Sequence, residues 1–214
     1  MEIASYIDHT ALSTSVRKED VRRMCDEALE HGFASVCIPP YFMKNAMKHL
    51  DGRRLKVSTV IGFPFGFAAT FAKVDEIKKV VDDGASEVDA VINLSALAEN
   101  DFIYLRNEID SMTQITHLHG KQIKIILETA LLQGDQLEKL CALCAQTGVD
   151  FVKTSTGHAG GATPEVVRAM RKLLPPEIKI KASGGIKTRQ QAHNLIDAGA
   201  DRLGTSAAFA ILEL

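Results

Sequence analysis

No stretch of this sequence approaches the roughly 20 apolar residues that a membrane-spanning helix needs. Net charge is also nearly missing, at −2 for pH 7. There is therefore no electrostatic footprint for nucleic acid or an anionic membrane. The opening residues Met1-Glu2-Ile3-Ala4-Ser5 lack the basic flank and apolar stretch of an export signal. Cysteine is scarce: the four present, with no export signal, are expected to be free thiols in a reducing cytoplasm. Cys141 and Cys144 form a lone C-x-x-C inside a helical pattern, without the second pair or nearby histidine of a zinc set. His117 and His119 read as the end of a helix. Neither a metal nor a cofactor is expected.

What is present is an ordinary globular composition, 46% hydrophobic and 24% charged, enough for a sizeable core. Strand patterns fall at 3–8, 33–38, 55–62, 87–93, 122–129, 150–155, 178–183 and 201–204. Helical patterns follow at 17–31, 39–50, 69–83, 101–119, 135–147, 164–174 and 188–198, with a short one running to 214. Glycines punctuate the series, and Thr163-Pro164 has the cap and first-turn proline of a helix start. No linker interrupts it, so residues 1–214 read as one domain.

Eight strand–helix units of roughly 27 residues match the count and spacing of a (β/α)8 TIM barrel. The strands also alternate. Val88, Ala90 and Ile92 oppose Glu87, Asp89, Val91 and Asn93; Ile123, Ile125 and Leu127 oppose Lys124, Ile126 and Glu128. A strand covered by a helix turns its apolar face to that helix, which leaves the charged face for the barrel interior. An open doubly wound sheet, the minority alternative, would bury both faces and favour continuous apolar runs.

Barrel enzymes place their chemistry at the C-terminal strand ends. Those ends carry Asp8, Cys37, Asp89, Glu128, Lys153 and Lys181 on the inferred inward face. Lys153 and Lys181 lie on neighbouring strands. At about 4 Å and an effective dielectric near 20, two ammonium charges repel by about 4 kcal/mol. Such repulsion favours a neutral amine, a nucleophile for carbonyl carbon, and either lysine could be the one that attacks. Asp89 is placed to carry protons. The competing reading is an ion-pair network of Asp89, Lys153, Lys181 and Glu128 that only holds the barrel together. Loops rich in glycine and hydroxyls follow strands six to eight: Thr156-Gly157, Gly184-Gly185 and Gly204-Thr205-Ser206. Backbone N–H groups in such loops suit a phosphate dianion.

These residues resemble deoxyribose-phosphate aldolase along nearly the whole chain. The likeness runs through Ile7-Asp8-His9-Thr10, Val36-Cys37-Ile38-Pro39, Val60-Ile61-Gly62-Phe63-Pro64 and Thr70-x-x-Lys73-x-x-Glu76. It continues in Glu87-Val88-Asp89-Ala90-Val91-Ile92-Asn93, Ile125-Ile126-Leu127-Glu128-Thr129, Val152-Lys153-Thr154-Ser155-Thr156-Gly157 and Lys181-Ala182-Ser183-Gly184-Gly185-Ile186. The resemblance implies a metal-independent enzyme joining acetaldehyde to glyceraldehyde 3-phosphate, and a homo-oligomer, dimer or tetramer. It implies a Schiff base on Lys153, perturbed by Lys181, with Asp89 handling protons. By the same resemblance Asp8, Thr10, Cys37, Glu128, Thr156, Gly157, Gly184, Gly185, Gly204, Thr205 and Ser206 bind substrate, while Thr70, Lys73 and Glu76 are structural. The sequence departs from the family in its loop from His158 to Thr163, one residue shorter than the common bacterial form. It also carries Ala207 where many relatives have a second serine, and ends at Leu214 without the C-terminal tyrosine tail of some members. Two other readings stay open: a transaldolase-like Schiff-base enzyme, and a barrel that binds phosphosugars without turnover.

Overall fold

A computed structural model describes residues 3–214. Eight parallel strands close on themselves in sequence order: β1 (Ile7–Thr10), β2 (Ser35–Ile38), β3 (Val57–Ile61), β4 (Glu87–Val91), β5 (Gln122–Ile126), β6 (Phe151–Lys153), β7 (Lys179–Ser183) and β8 (Arg202–Thr205). β8 pairs with β1 through Asp8 opposite Gly204, which closes the barrel. The helices outside it are α1 (Lys18–His31), α2 (Met43–Leu50), α3 (Thr70–Asp82), α4 (Leu94–Ala98), α5 (Phe102–Leu118), α6 (Gln136–Thr147), α7 (Pro164–Leu173), α8 (Arg189–Asp197) and α9 (Ala208–Leu212).

Strand alternation sorts the core from the interior. Val88, Ala90, Ile123, Ile125, Val152, Ile180, Ala182 and Leu203 are buried in the main apolar cluster with the inner faces of the helices. Their neighbours Glu87, Asp89, Lys124, Lys153 and Lys181 are equally buried but meet one another. Low in the barrel Phe151 takes Lys124, Lys179 and Arg202 near its ring face, 5.6 to 5.7 Å from the centroid.

Local signals explain most helix ends. Thr163 Oγ1 accepts from Val166 N–H ahead of Pro164, and Thr188 and Gln191 cap α8 reciprocally. Gly32 and Gly148 close α1 and α6 in the left-handed region that glycine enters without steric cost.

Most strands begin or end a few residues away from the sequence reading, and four regions differ in kind. Residues Ile3–Tyr6 form a 3-10 turn, and β1 begins only at Ile7. The double proline starts a 3-10 turn, Pro40–Phe42, before α2 begins. Beyond β4, Asn93 ends the strand direction by accepting from Ser95 and Ala96 N–H, which nucleates the unanticipated α4. β5 stops at Ile126, because Glu128 takes left-handed backbone angles (φ 54°) before a 3-10 turn, Thr129–Leu131.

Candidate active site

The strands bring their charged residues into one connected set inside the barrel. Asp8 Oδ2 lies 2.6 Å from Lys181 Nζ, which lies 2.8 Å from Asp89 Oδ2. Asp89 Oδ1 is 2.9 Å from Lys124 Nζ, itself 2.5 Å from Glu87 Oε2. Glu87 Oε1 is 3.3 Å from Arg202 Nη2, and Arg202 Nη1 returns to Asp8 Oδ1 at 2.5 Å. Acid and base alternate around this closed circuit. Lys153 hangs outside it, with its Nζ 2.8 Å from Asp89 Oδ2.

Burial and charge oppose each other here, and charge wins. Desolvation pushes the Asp89 carboxyl up, but the ammonium groups of Lys124, Lys153 and Lys181 hold it well below the usual carboxylate range. Asp8 is likewise raised by burial and more strongly lowered by Lys181, Lys124 and Arg202. Glu87 follows the same pattern, with burial outweighed chiefly by Lys124. Lys181 and Lys124 go the other way. Burial lowers each, but Asp8 and Asp89 raise Lys181, and Asp89 and Glu87 raise Lys124, above the ordinary lysine value. Burial dominates at Cys37 and pushes its thiol up. The pure repulsion expected between Lys153 and Lys181 is thus interrupted by a carboxylate oxygen that both contact.

Above this network opens a cavity of about 920 Å³ at the C-terminal strand ends. Thr10, Lys153, Thr156, Gly157, Gly184, Gly185, Gly204, Thr205 and Ser206 all line it. Asp8, Asp89 and Lys181 lie fully buried outside that wall, so Lys153 carries the network to the cavity. Cys37 is fully buried and off the wall as well. Glu128 is also buried and off the wall, and its left-handed backbone takes it out of the β5 alternation. Its Oε2 accepts from Thr156 N–H at 3.1 Å and from the Thr156 hydroxyl. It therefore props a cavity loop and takes no part in the ion network.

The glycines of the upper loops have specific reasons. Gly184 (φ 88°) packs so closely on Gly160 and Gly161 that a Cβ would stand 2.7 Å from Gly160 O. At Gly204 a Cβ would stand 3.0 Å from Lys181 Cε.

Several residues were not singled out from sequence. Lys124, Glu87 and Arg202 complete the ion circuit; the alternation of β4 and β5 marked the first two as inward but gave no partner. Lys187, His158 and Phe63 line the cavity, and His158 meets Phe63 edge-on with centroids 5.3 Å apart. The α3 residues Thr70, Lys73 and Glu76 lie off the cavity wall. Lys73 is fully buried and donates to Val91 O at 2.8 Å and Glu108 Oε1 at 2.7 Å, while Glu76 accepts from Gly62 N–H at 2.8 Å. Cys141 and Cys144 are free and buried in α6, and burial pushes the Cys141 thiol up to about 12. Among the described residues no group of three or more His, Cys, Asp or Glu is arranged to hold a metal ion. No helix among them is long and apolar enough to cross a membrane.

Comparison with known proteins finds relatives along the whole chain. Residues 3–211 match the model of the DeoC/LacD family of aldolases. A deoxyribose-phosphate aldolase of Thermococcus gammatolerans is 46% identical over 216 residues, covering 100% of this chain and 96% of the relative. One from Thermococcus kodakarensis is 47% identical over 215 residues, covering 99% and 96%. Among solved structures, an aldolase called QR15 superposes with a TM-score of 0.93 at 37% identity, covering 100% of this chain and 95% of its own. A deoxyribose phosphate aldolase of Aeropyrum pernix, described as having a unique tetrameric structure, gives 0.92 at 34% identity, covering 99% and 89%. With a family match over residues 3–211 on a closed parallel barrel, the chain belongs to the DeoC/LacD family of aldolases.

Proposed function

We propose that this aldolase reversibly cleaves 2-deoxy-D-ribose 5-phosphate into D-glyceraldehyde 3-phosphate and acetaldehyde through an imine on Lys153. One observation carries the reading: Lys153 is the member of the buried ion network that reaches the cavity wall, beside loops suited to phosphate. The relatives' name supplies the substrate.

The chemistry follows from the placement of the groups. The unprotonated Lys153 amine attacks the C1 aldehyde of the open-chain sugar, and the carbinolamine loses water to give an iminium. The C3 hydroxyl loses its proton, the C2–C3 bond breaks into the iminium, and glyceraldehyde 3-phosphate leaves. The remaining enamine is protonated at C2, and water releases acetaldehyde. Asp89 Oδ2, 2.8 Å from both Lys153 and Lys181, is the site through which protons reach and leave the amine. Asp8 holds Lys181 from behind, and Cys37 lies in the interior beside both lysines. The iminium is the electron sink, so no metal enters the scheme, and activity is expected to survive EDTA.

The phosphate binds at Gly184, Gly185, Gly204, Thr205 and Ser206, with the start of α8 and Lys187 supplying favourable charge. Thr10, Thr156 and Gly157 complete the sugar side of the cavity, with Glu128 acting through Thr156. One domain holds the whole apparatus, since β8 pairs with β1. The four described thiols are free, as suits a cytoplasmic enzyme. Exposed Phe71 and Leu118, which line an uncharged groove between α3 and α5, support assembly as a homo-oligomer, which light scattering of the purified protein tests.

The deciding experiment is reduction with sodium borohydride in the presence of acetaldehyde, followed by intact mass and peptide mapping. One ethyl group on Lys153 is expected. A label on Lys181, or none, overturns the proposal.

A further inference from the structure

The ion circuit has a charge count. Asp8, Lys181, Asp89, Lys124, Glu87 and Arg202 form a closed loop in which each base meets two acids and each acid meets two bases. Three carboxylates balance three cations, so the loop by itself is neutral. Among the described residues Lys153 makes a single ionic contact, with Asp89 Oδ2. A proton on Lys153 is a charge that the loop itself leaves unmatched. In a water-poor interior an unmatched charge is costly, and each loop member acts on it through a low effective dielectric.

We propose that the loop acts as a unit to set the protonation of the reactive amine, and that Lys124, Glu87 and Arg202 are positioning residues for the reaction although none lines the cavity. The inference rests on Lys153 as the imine-forming lysine. Lys124 has a second task within it. By occupying Asp89 Oδ1, it leaves Oδ2 to face both Lys153 and Lys181. Glu87 then holds Lys124, and Arg202 bridges Glu87 to Asp8.

The other charged or titratable groups near Lys153 lie outside the loop. Cys37 faces it from β2 with its thiol held neutral by burial. Glu128, above β5, gives its carboxylate to Thr156. Lys56 Nζ lies 3.0 Å from Glu87 Oε1, the oxygen that Arg202 also meets, but its side chain is half exposed, so solvent and salt screen it. Lys187 and His158 are exposed on the cavity wall.

A network that only braced the barrel would lose activity on any substitution, with no dependence on the sign of the charge removed. A protonation-setting loop gives opposite responses. Removing an acid leaves excess positive charge and favours the free amine. Removing a base leaves excess negative charge and favours the ammonium.

The test is the pH dependence of acetaldehyde trapping with sodium cyanoborohydride, alongside kcat against pH, in Glu87→Gln, Arg202→Gln, Lys124→Met and Arg202→Lys. The acidic limb is expected to move to lower pH in Glu87→Gln and to higher pH in Arg202→Gln and Lys124→Met. Each shift should be on the order of one pH unit, or about tenfold in rate at a fixed pH on the limb. Arg202→Lys keeps the charge and should restore the wild-type profile. Arg202 sits at the partly exposed edge of the loop, so its variants test the sign even if Lys124→Met does not fold. Circular dichroism checks the fold of each. Shifts in the same direction for acid and base variants, or no shift in folded protein, overturn the inference while leaving the imine on Lys153 standing. An ethyl label on another lysine overturns both.

Discussion

Lys153 and Lys181 stand directly opposite each other across β6 and β7, and both donate to one oxygen, Asp89 Oδ2, at 2.8 Å. Their environments differ in one further contact. Lys181 also meets Asp8 and is wholly buried, whereas among the described residues Lys153 has no second carboxylate, and it forms part of the cavity wall. The pair therefore divides into a wholly enclosed lysine and one at the cavity wall.

Replacing Lys181 by Met keeps the stem and removes the charge that two buried carboxylates share. The turnover rate should fall by a factor on the order of 10²–10⁴. Stability should fall by about 3–5 kcal/mol, since Asp8 and Asp89 lose a buried partner. Steady-state kinetics and urea unfolding read the two effects. Near wild-type turnover in folded protein would make Lys181 a dispensable part of the site.

Gly204→Ala tests a packing relation. The added Cβ would lie 2.9 Å from Ser183 Cβ and 3.0 Å from Lys181 Cε, so Lys181 must shift away from its carboxylates. A loss of about 1–3 kcal/mol in stability is expected from overpacking, with lowered kcat. Unchanged kinetics would show that Lys181 tolerates displacement.

Gly185→Asp places a negative charge in the proposed phosphate loop, where no described residue lies within 4 Å of the new Cβ. The backbone there is left-handed (φ 76°), a region asparagine and aspartate enter more readily than most residues. The KM for 2-deoxyribose 5-phosphate should rise far more than that for unphosphorylated 2-deoxyribose. Equal rises would move the phosphate elsewhere.

Lys73 forms a fully buried pair with Glu108, and Glu108 Oε2 also accepts from Asn93 N–H at 2.8 Å. Lys73→Met should destabilise the fold by about 3–5 kcal/mol, because it strands a buried carboxylate. Borohydride trapping on Lys153 should persist in the folded fraction. Loss of trapping there would give Lys73 a part in the chemistry.

The pH dependence of stability has a defined sign. Asp8, Glu87 and Asp89 titrate below their unfolded values, so the stability they contribute is present above about pH 4 and is lost as pH falls through the lower folded values. Lys124 and Lys181 are raised, so their contribution is complete below about pH 10 and is lost as pH rises through the higher folded values. Thermal unfolding across pH should show a plateau with a fall below about pH 4. A melting temperature that stays level down to pH 2 would remove the ion circuit from the stability of the barrel.

Much of this enzyme is written in local pattern. The period-two alternation of β4, β5 and β7, the glycine stops and the helix caps act within a few residues, so eight strand–helix units and an inward charged face are determined by the sequence alone. The cavity-lining loops after β6, β7 and β8 were legible for the same reason. Left-handed backbone at Glu128 and the Asn93 cap that starts α4 are also local, but each competes with a continuing strand pattern, and periodicity alone favours the strand. What closes the ion circuit is different in kind. Asp8 and Arg202 are 194 positions apart in sequence, and they meet only because β8 pairs with β1. Tertiary structure likewise decided that Lys153 reaches the cavity while Lys181 and Cys37 stay beneath it, because depth inside a barrel depends on the stagger of neighbouring strands, which no single strand encodes.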